Sequence, residues 1–422
     1  MMTALDDRLP NPPMLASFPF SLGLRLMAGG DVRASQAQLD TFRRFAQVGD
    51  AAADALVASL KELPSGRGRE LFELALERGI DAVPDAPAEL AAFFAHVDAV
   101  PYWVDTEQLE LAARVTGRTG LWGMLVALPQ LALMGGYLAS RPDKTLVSTG
   151  DLDTMAPRRL AETANWWVEV TSPGALGRFE PGFKSVLRVR LMHAHVRAAM
   201  NQRPDWDHAA WDHPVNQVQI AGTLMLFSLA NLAGCQAVGL RFSAKERAAV
   251  FHFWRYVGWL MGIDPELLPV TETDTWRLLW LEAATEFQPD PDSRRLGQAL
   301  ASAIGPLVVP GDGALSKAAA HALTAYLTSY SRLLLGGANA DFLELPDSKP
   351  FQAAVMATAV VNRAAEYARL AIPGTTRLSE SLGHRGRSAL INRIMRAQRG
   401  DPSYRRHDQP RAGGPAKLTR IS

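Results

Sequence analysis

The chain has 422 residues, 48% hydrophobic and 21% charged, apolar enough for a large core, which excludes a disordered or fibrous protein. A single cysteine, Cys235, excludes an intramolecular disulfide and a cysteine-rich zinc module. The net charge of +1 hides a split: residues 385–422 carry ten Lys/Arg against two Asp, leaving an acidic body of net −7 that argues against nucleic-acid binding.

In chain order, the first thirty residues place no charged region ahead of an apolar run, so no export signal is read and the cytoplasm is the expected compartment. Helical periodicity then recurs throughout, and no Asn-Gly or Asp-Gly turn joins alternating runs. Helices are predicted at 36–63, 69–79, 87–96, 105–117, 120–139, 154–171, 182–201, 214–234, 243–261, 271–286, 291–303, 314–334, 350–370 and 376–398. Ser243-Ala-Lys-Glu246 is a capping box and Thr271-Glu-Thr-Asp274 resembles one. Pro142, Pro173-Gly174 and Pro310-Gly311 punctuate the gaps. The fold class is all-α, divided as an N-terminal extension (1–35), a main domain (36–384) and a basic helix with a disordered tail (385–422).

Two uncharged stretches, Thr119–Ser140 and Pro214–Leu240, are each long enough to span a bilayer. Pro129-Gln130 and Gly135-Gly136 interrupt the first, and Asn216, Gln217, Gln219, Asn231 and Gln236 dot the second, so both read as central core helices. The basic tail reads as solvated, with peripheral membrane or substrate contact as its other reading. A Walker A loop, HExxH, Gly-x-Ser-x-Gly and a Rossmann fingerprint are all missing from the sequence.

The histidines remain. In GFKSVLRVRLMHAHVRAAM, Val186, Val189, His193, Val196 and Met200 form one stripe at 3-4-3-4 spacing, with Arg190 and Arg197 beside His193. His195 points to the opposite, polar side, so the two histidines are not a chelating pair. A lone histidine on such a seam is either a hydrogen-bonded core residue or an iron or haem ligand. Haem needs an apolar slot, a neutral imidazole and cations for its propionates, which this helix could supply. On the preceding helix Arg159, Glu162, Thr163 and Trp166 share a face, read either as a surface charge ladder or as a second part of the site.

Arg159-x-x-x-Thr163, followed thirty residues later by Val189-Arg190-Leu191-Met192-His193-Ala194, resembles the rubber oxygenases (latex-clearing proteins) and the MpaB-type oxygenases. Thr149-Gly150, Pro214-Val215-Asn216-Gln217 and His252-x-Trp254-Arg255-x-Val257-Gly258 add to the resemblance, which runs from about Phe45 to about Leu300. It implies a globin-like helical core with surrounding helices holding one haem b. It also implies His193 as the iron ligand, Arg159 and Thr163 at the haem site, and oxidative cleavage of an isoprenoid C=C bond by O2. Where those enzymes carry a lysine before the threonine, this chain has Glu162, and Asp143 is the best match to their upstream acid. Asp143 and Glu162 are the candidate bases, and a hydrophobic alkene smaller than solid latex is the expected substrate. The competing expectations are a non-catalytic haem sensor or carrier and a lipid-surface scaffold without cofactor.

Overall fold

The computed structural model describes residues 7–148 and 152–399, without the side chains of 152–155 and 399. The described residues form helices and no strand; the sole extended pairing among them is an isolated antiparallel bridge between Arg8 and Ser35. The fold class is therefore all-α. Thr149-Gly150 and the tail beyond Arg399 lie outside the described residues.

Most predicted helices are present within a few residues, and both capping boxes form: Ser243 Oγ accepts from Glu246 N at 3.2 Å, and Thr271 Oγ1 accepts from Asp274 N at 3.1 Å. The predicted helix 36–63 is instead two helices, Gln36–Phe45 and Ala51–Lys61. Asp50 caps the second, its Oδ1 accepting from Ala53 N at 3.2 Å. A Cβ on Gly49 would lie 2.8 Å from both Arg197 Nε and Asp54 Oδ2, so the chain passes there only because the residue is glycine. Helix Ser140–Ser148, unpredicted, begins in the gap that Pro142 suggested; in the first turn, proline's missing N–H belongs to a donor that needs no helical partner.

The two apolar stretches run through the core, with most of each apolar window buried. Neither is a plain α-helix. Gly120, at φ 54° and ψ −130°, kinks the first, and Gly123–Leu133 then winds as a π-helix around Pro129, which has no N–H to close an α turn. The second stretch, from Gln217 to Ala237, contains a π turn at Leu226–Ala230.

Among the described residues, parts of both outer segments pack on the main core. From the N-terminal segment, Leu15, Ala28 and Val32 are buried in the main core, and Asn11 Oδ1 accepts from Trp280 Nε1 at 3.1 Å. The boundary at 384/385 falls inside a single helix, Thr375–Arg399. Its Ile391, Ile394 and Met395 enter the same core, because apolar residues continue along one face of the helix past the start of the basic segment.

Candidate functional site

The histidine helix, Pro181–Asn201, starts with proline at its first position and packs against helix Leu152–Val170. Its seam is buried at both ends, at Val186 and Met200, while Val189, His193 and Val196 in the middle are only half-buried. The His193 ring sits deep enough to be largely desolvated. Nδ1 of His193 is sealed and has no hydrogen-bond partner. Burial, with Arg197 beside it, pulls the imidazole down to about 4 against the opposing pull of Asp50, so the ring is neutral at physiological pH, the form that ligates a metal. His195 is exposed on the other side, and no cluster of three or more His, Cys, Asp or Glu occurs among the described residues.

The two arginines behave differently from expectation. Arg190 is buried and donates from Nε to Asp50 Oδ2 (2.6 Å), from Nη2 to Oδ1 (3.0 Å) and from Nη1 to the Leu260 carbonyl (3.1 Å), its guanidinium 4.8 Å from the Phe93 ring. Arg197, equally buried, donates from Nε to both Asp54 oxygens (2.7 and 2.9 Å) and from Nη1 to the Val215 carbonyl (2.8 Å). Each guanidinium is matched by a carboxylate from the break before helix Ala51–Lys61 or from its first turn. The pairs fasten the histidine helix in place; all three Arg190 nitrogens are hydrogen-bonded, whereas the sealed Nη2 of Arg197 makes no hydrogen bond.

A second group lies on helices Ser140–Ser148 and Leu152–Val170. Asp143 is buried, its Oδ2 accepting from Ser293 Oγ at 3.2 Å; burial pushes its carboxyl well above the usual range. Arg159 Nη1 donates to the Leu146 carbonyl at 2.9 Å, and burial draws its guanidinium down. Glu162 accepts from Arg158 Nε at 2.8 Å, an i,i+4 pair. Thr163 and Trp166 are half-buried on the same face. The Trp166 ring lies 5.2 Å from Phe227 and 6.2 Å from Trp254, its Nε1 sealed and unpartnered, so this face is interior and not a solvated charge ladder.

Sequence reasoning missed three residues. Tyr137 lies at full depth yet half-accessible, facing Asp143 and Arg159; burial and the Asp143 charge push its phenol up. As the lone phenol in an otherwise uncharged stretch, it was the available signal. Asp50 and Asp54 sit some 140 residues before their arginines, and nothing local announces them. An open surface cavity of about 250 Å³, lined by Arg141, Asp212, Thr285 and Glu286 among others, contains none of the predicted site residues.

The profile of the family described as "ER-bound oxygenase mpaB/B'/Rubber oxygenase, catalytic domain" matches residues 116–366, more than half of the chain. The match begins later and ends later than the span read from the motifs. A solved structure, "Structure of Latex Clearing Protein LCP in the closed state", superposes with a TM-score of 0.61 at 19% identity, covering 82% of this chain and 91% of that one, which establishes the shared fold. Comparison with curated proteins returned no match. The chain thus belongs to the MpaB/rubber oxygenase family, and its catalytic domain is that of an oxygenase.

Proposed function

We propose that the protein is a haem b-dependent oxygenase that cleaves or oxidises a C=C bond of a hydrophobic, isoprenoid-like substrate with O2. The carrying observation is His193: a neutral imidazole with a sealed, unpartnered Nδ1, set in the apolar seam of its helix. The residues fit the iron-ligand half of a haem site. For the propionate half, Arg190 is committed to Asp50, while Arg197, paired with Asp54, keeps an Nη2 without a hydrogen bond.

Haem bound at His193 supplies dioxygen activation, which no side chain here can perform. The protein's part is position, dryness and proton handling. The half-buried apolar residues Val189, Val196 and Leu226 favour an alkene over water, at ~0.8 kcal/mol per buried methylene. The Asp50–Arg190 and Asp54–Arg197 pairs hold the imidazole at a fixed depth and orientation. Asp143 is the better base of the two candidates: Glu162 is engaged by Arg158, whereas Asp143, once its proton has left, is a strongly basic carboxylate in a dry setting with the Ser293 hydroxyl to steady it. Arg159 and Thr163, on one face of helix Leu152–Val170, supply a guanidinium and a hydroxyl suited to holding a polar oxygen of substrate or product.

Incubation of the purified protein with short isoprenoid alkenes under O2, with chemical trapping of carbonyl products, tests the reading. Wild-type protein gives aldehyde or ketone products and His193→Ala gives none. A haem-loaded wild type that yields no oxidised product from a panel of such alkenes would point to the sensor or carrier instead.

A further inference from the structure

Helix Lys349–Ala371 buries little besides Val355, Glu366 and Arg369. Its other side is apolar and open: Met356, Val360, Val361, Tyr367, Leu370 and the adjoining Ile372 are between 55% and 69% exposed. After the turn at Pro373-Gly374, Leu378 and Leu382, one helical turn apart on Thr375–Arg399, are likewise open, at 57% and 56%. Isolated exposed apolar side chains are ordinary, but this many on two consecutive helices mark a surface that meets something.

The charges on the strip choose the occupant. Between residues 350 and 386 the acids are Glu366 and Glu380. Glu366 is buried, bound to Arg369 and the Arg241 amide, and Glu380 faces Arg114 with little exposure. The exposed charges are Arg363, whose Nη2 also reaches the Gln236 carbonyl at 3.5 Å, Arg377 and Arg385, all cationic. A second copy fits poorly. Met356, Val360, Arg363, Tyr367 and Leu370 lie on one stripe at 4-3-4-3 spacing, so pairing of two copies, parallel in register or antiparallel about the centre, sets Arg363 against Arg363. A lipid surface suits all of it: apolar side chains enter the acyl boundary while arginines, their stems along the helix, reach anionic headgroups.

We propose that this strip, from Met356 to Leu382, is a membrane-docking face for an anionic lipid surface, lying on the bilayer rather than spanning it. It stands apart from the His193 site. It is also distinct from the basic tail after Arg399, which has only Tyr404, Leu418 and Ile421 as large apolar residues.

Flotation of the full chain with phosphatidylcholine vesicles, with and without phosphatidylglycerol, tests the proposal. Wild-type protein floats with the anionic vesicles and detaches at high salt. The double variant Val360→Glu/Leu370→Glu, at exposed positions that leave the fold intact, loses about a hundredfold in partitioning, roughly tenfold or more per inserted side chain. Leu315→Glu, an equally open site at 88% exposure elsewhere, binds as wild type. The proposal is overturned if wild type stays with the aqueous phase, or if the double variant floats undiminished, which would assign binding to the tail. Sedimentation that shows a dimer broken by the double variant, without vesicle binding, would assign the strip to a second copy.

Discussion

At the scale of single residues, the site is built by pairing charges that the sequence keeps far apart. Arg190 and Arg197 were legible as cations beside His193, because spacing of three and four residues puts them on its face. Their partners were not, since Asp50 and Asp54 arrive through tertiary packing. Removing one member of the buried Asp50–Arg190 pair strands the other, at about 3–5 kcal/mol, so that pair is a structural commitment; Asp54, a third exposed, contributes less. Asp143 carries a pH signature. Its native carboxyl holds a proton where the unfolded chain, near the ordinary value of 3.8, has released it. The native state thus binds more protons above that pH, and stability falls as pH rises until the native group itself ionises. Asp143→Asn removes this loss, while the similarly raised Glu282 and Glu286 act equally in both proteins. Urea unfolding of the two between about pH 5 and about pH 8 should show the variant gaining on wild type as pH rises; parallel curves would contradict the assignment.

At the scale of elements, helix boundaries were legible where caps or breakers mark them, as at Ser243 and Thr271. The π-helical segment at Gly123–Leu133 was not, because an apolar run carries no periodicity that distinguishes one winding from another. Close helix crossing was equally hidden. Helix Thr375–Arg399 crosses Thr106–Trp122 at glycines: a Cβ on Gly383 would overlap the Gly117 carbonyl oxygen, and one on Gly120 would lie 3.2 Å from Gly383 Cα. Backbone cannot rotate aside, so Gly383→Ala should destabilise by about 1–3 kcal/mol despite alanine's better helix propensity. On the same helix Gly386, with nothing within 4 Å of an added Cβ, should give a gain of about 0.5–1 kcal/mol when changed to alanine. Thermal melts of the two variants test the crossing, and equal shifts would refute it.

At the scale of the whole molecule, the described residues form one helical body, with Leu15 near its start and Met395 near its end in the core. Arg387, counted by sequence among the residues of a basic tail, is fully buried; it donates to the Thr171 hydroxyl and carbonyl at 2.8 Å each and lies 5.1 Å from the Trp167 ring. Composition could give net charge by segment but not which cations turn inward. The fold class, the family and the seam around His193 were all readable because each is a repeated or spaced pattern. The break at Gly49-Asp50 and the phenol of Tyr137 were not, because each is a single residue given meaning by what packs on it. The central claim is that His193 holds iron. The direct measurement is the visible absorption spectrum and iron content of the full chain, purified from haem-replete cells beside His193→Ala, with circular dichroism to confirm that both are helical. The account predicts a haem absorption band and bound iron in wild type and their loss in the folded variant; a variant that retains both, or a folded wild type that lacks both, contradicts it.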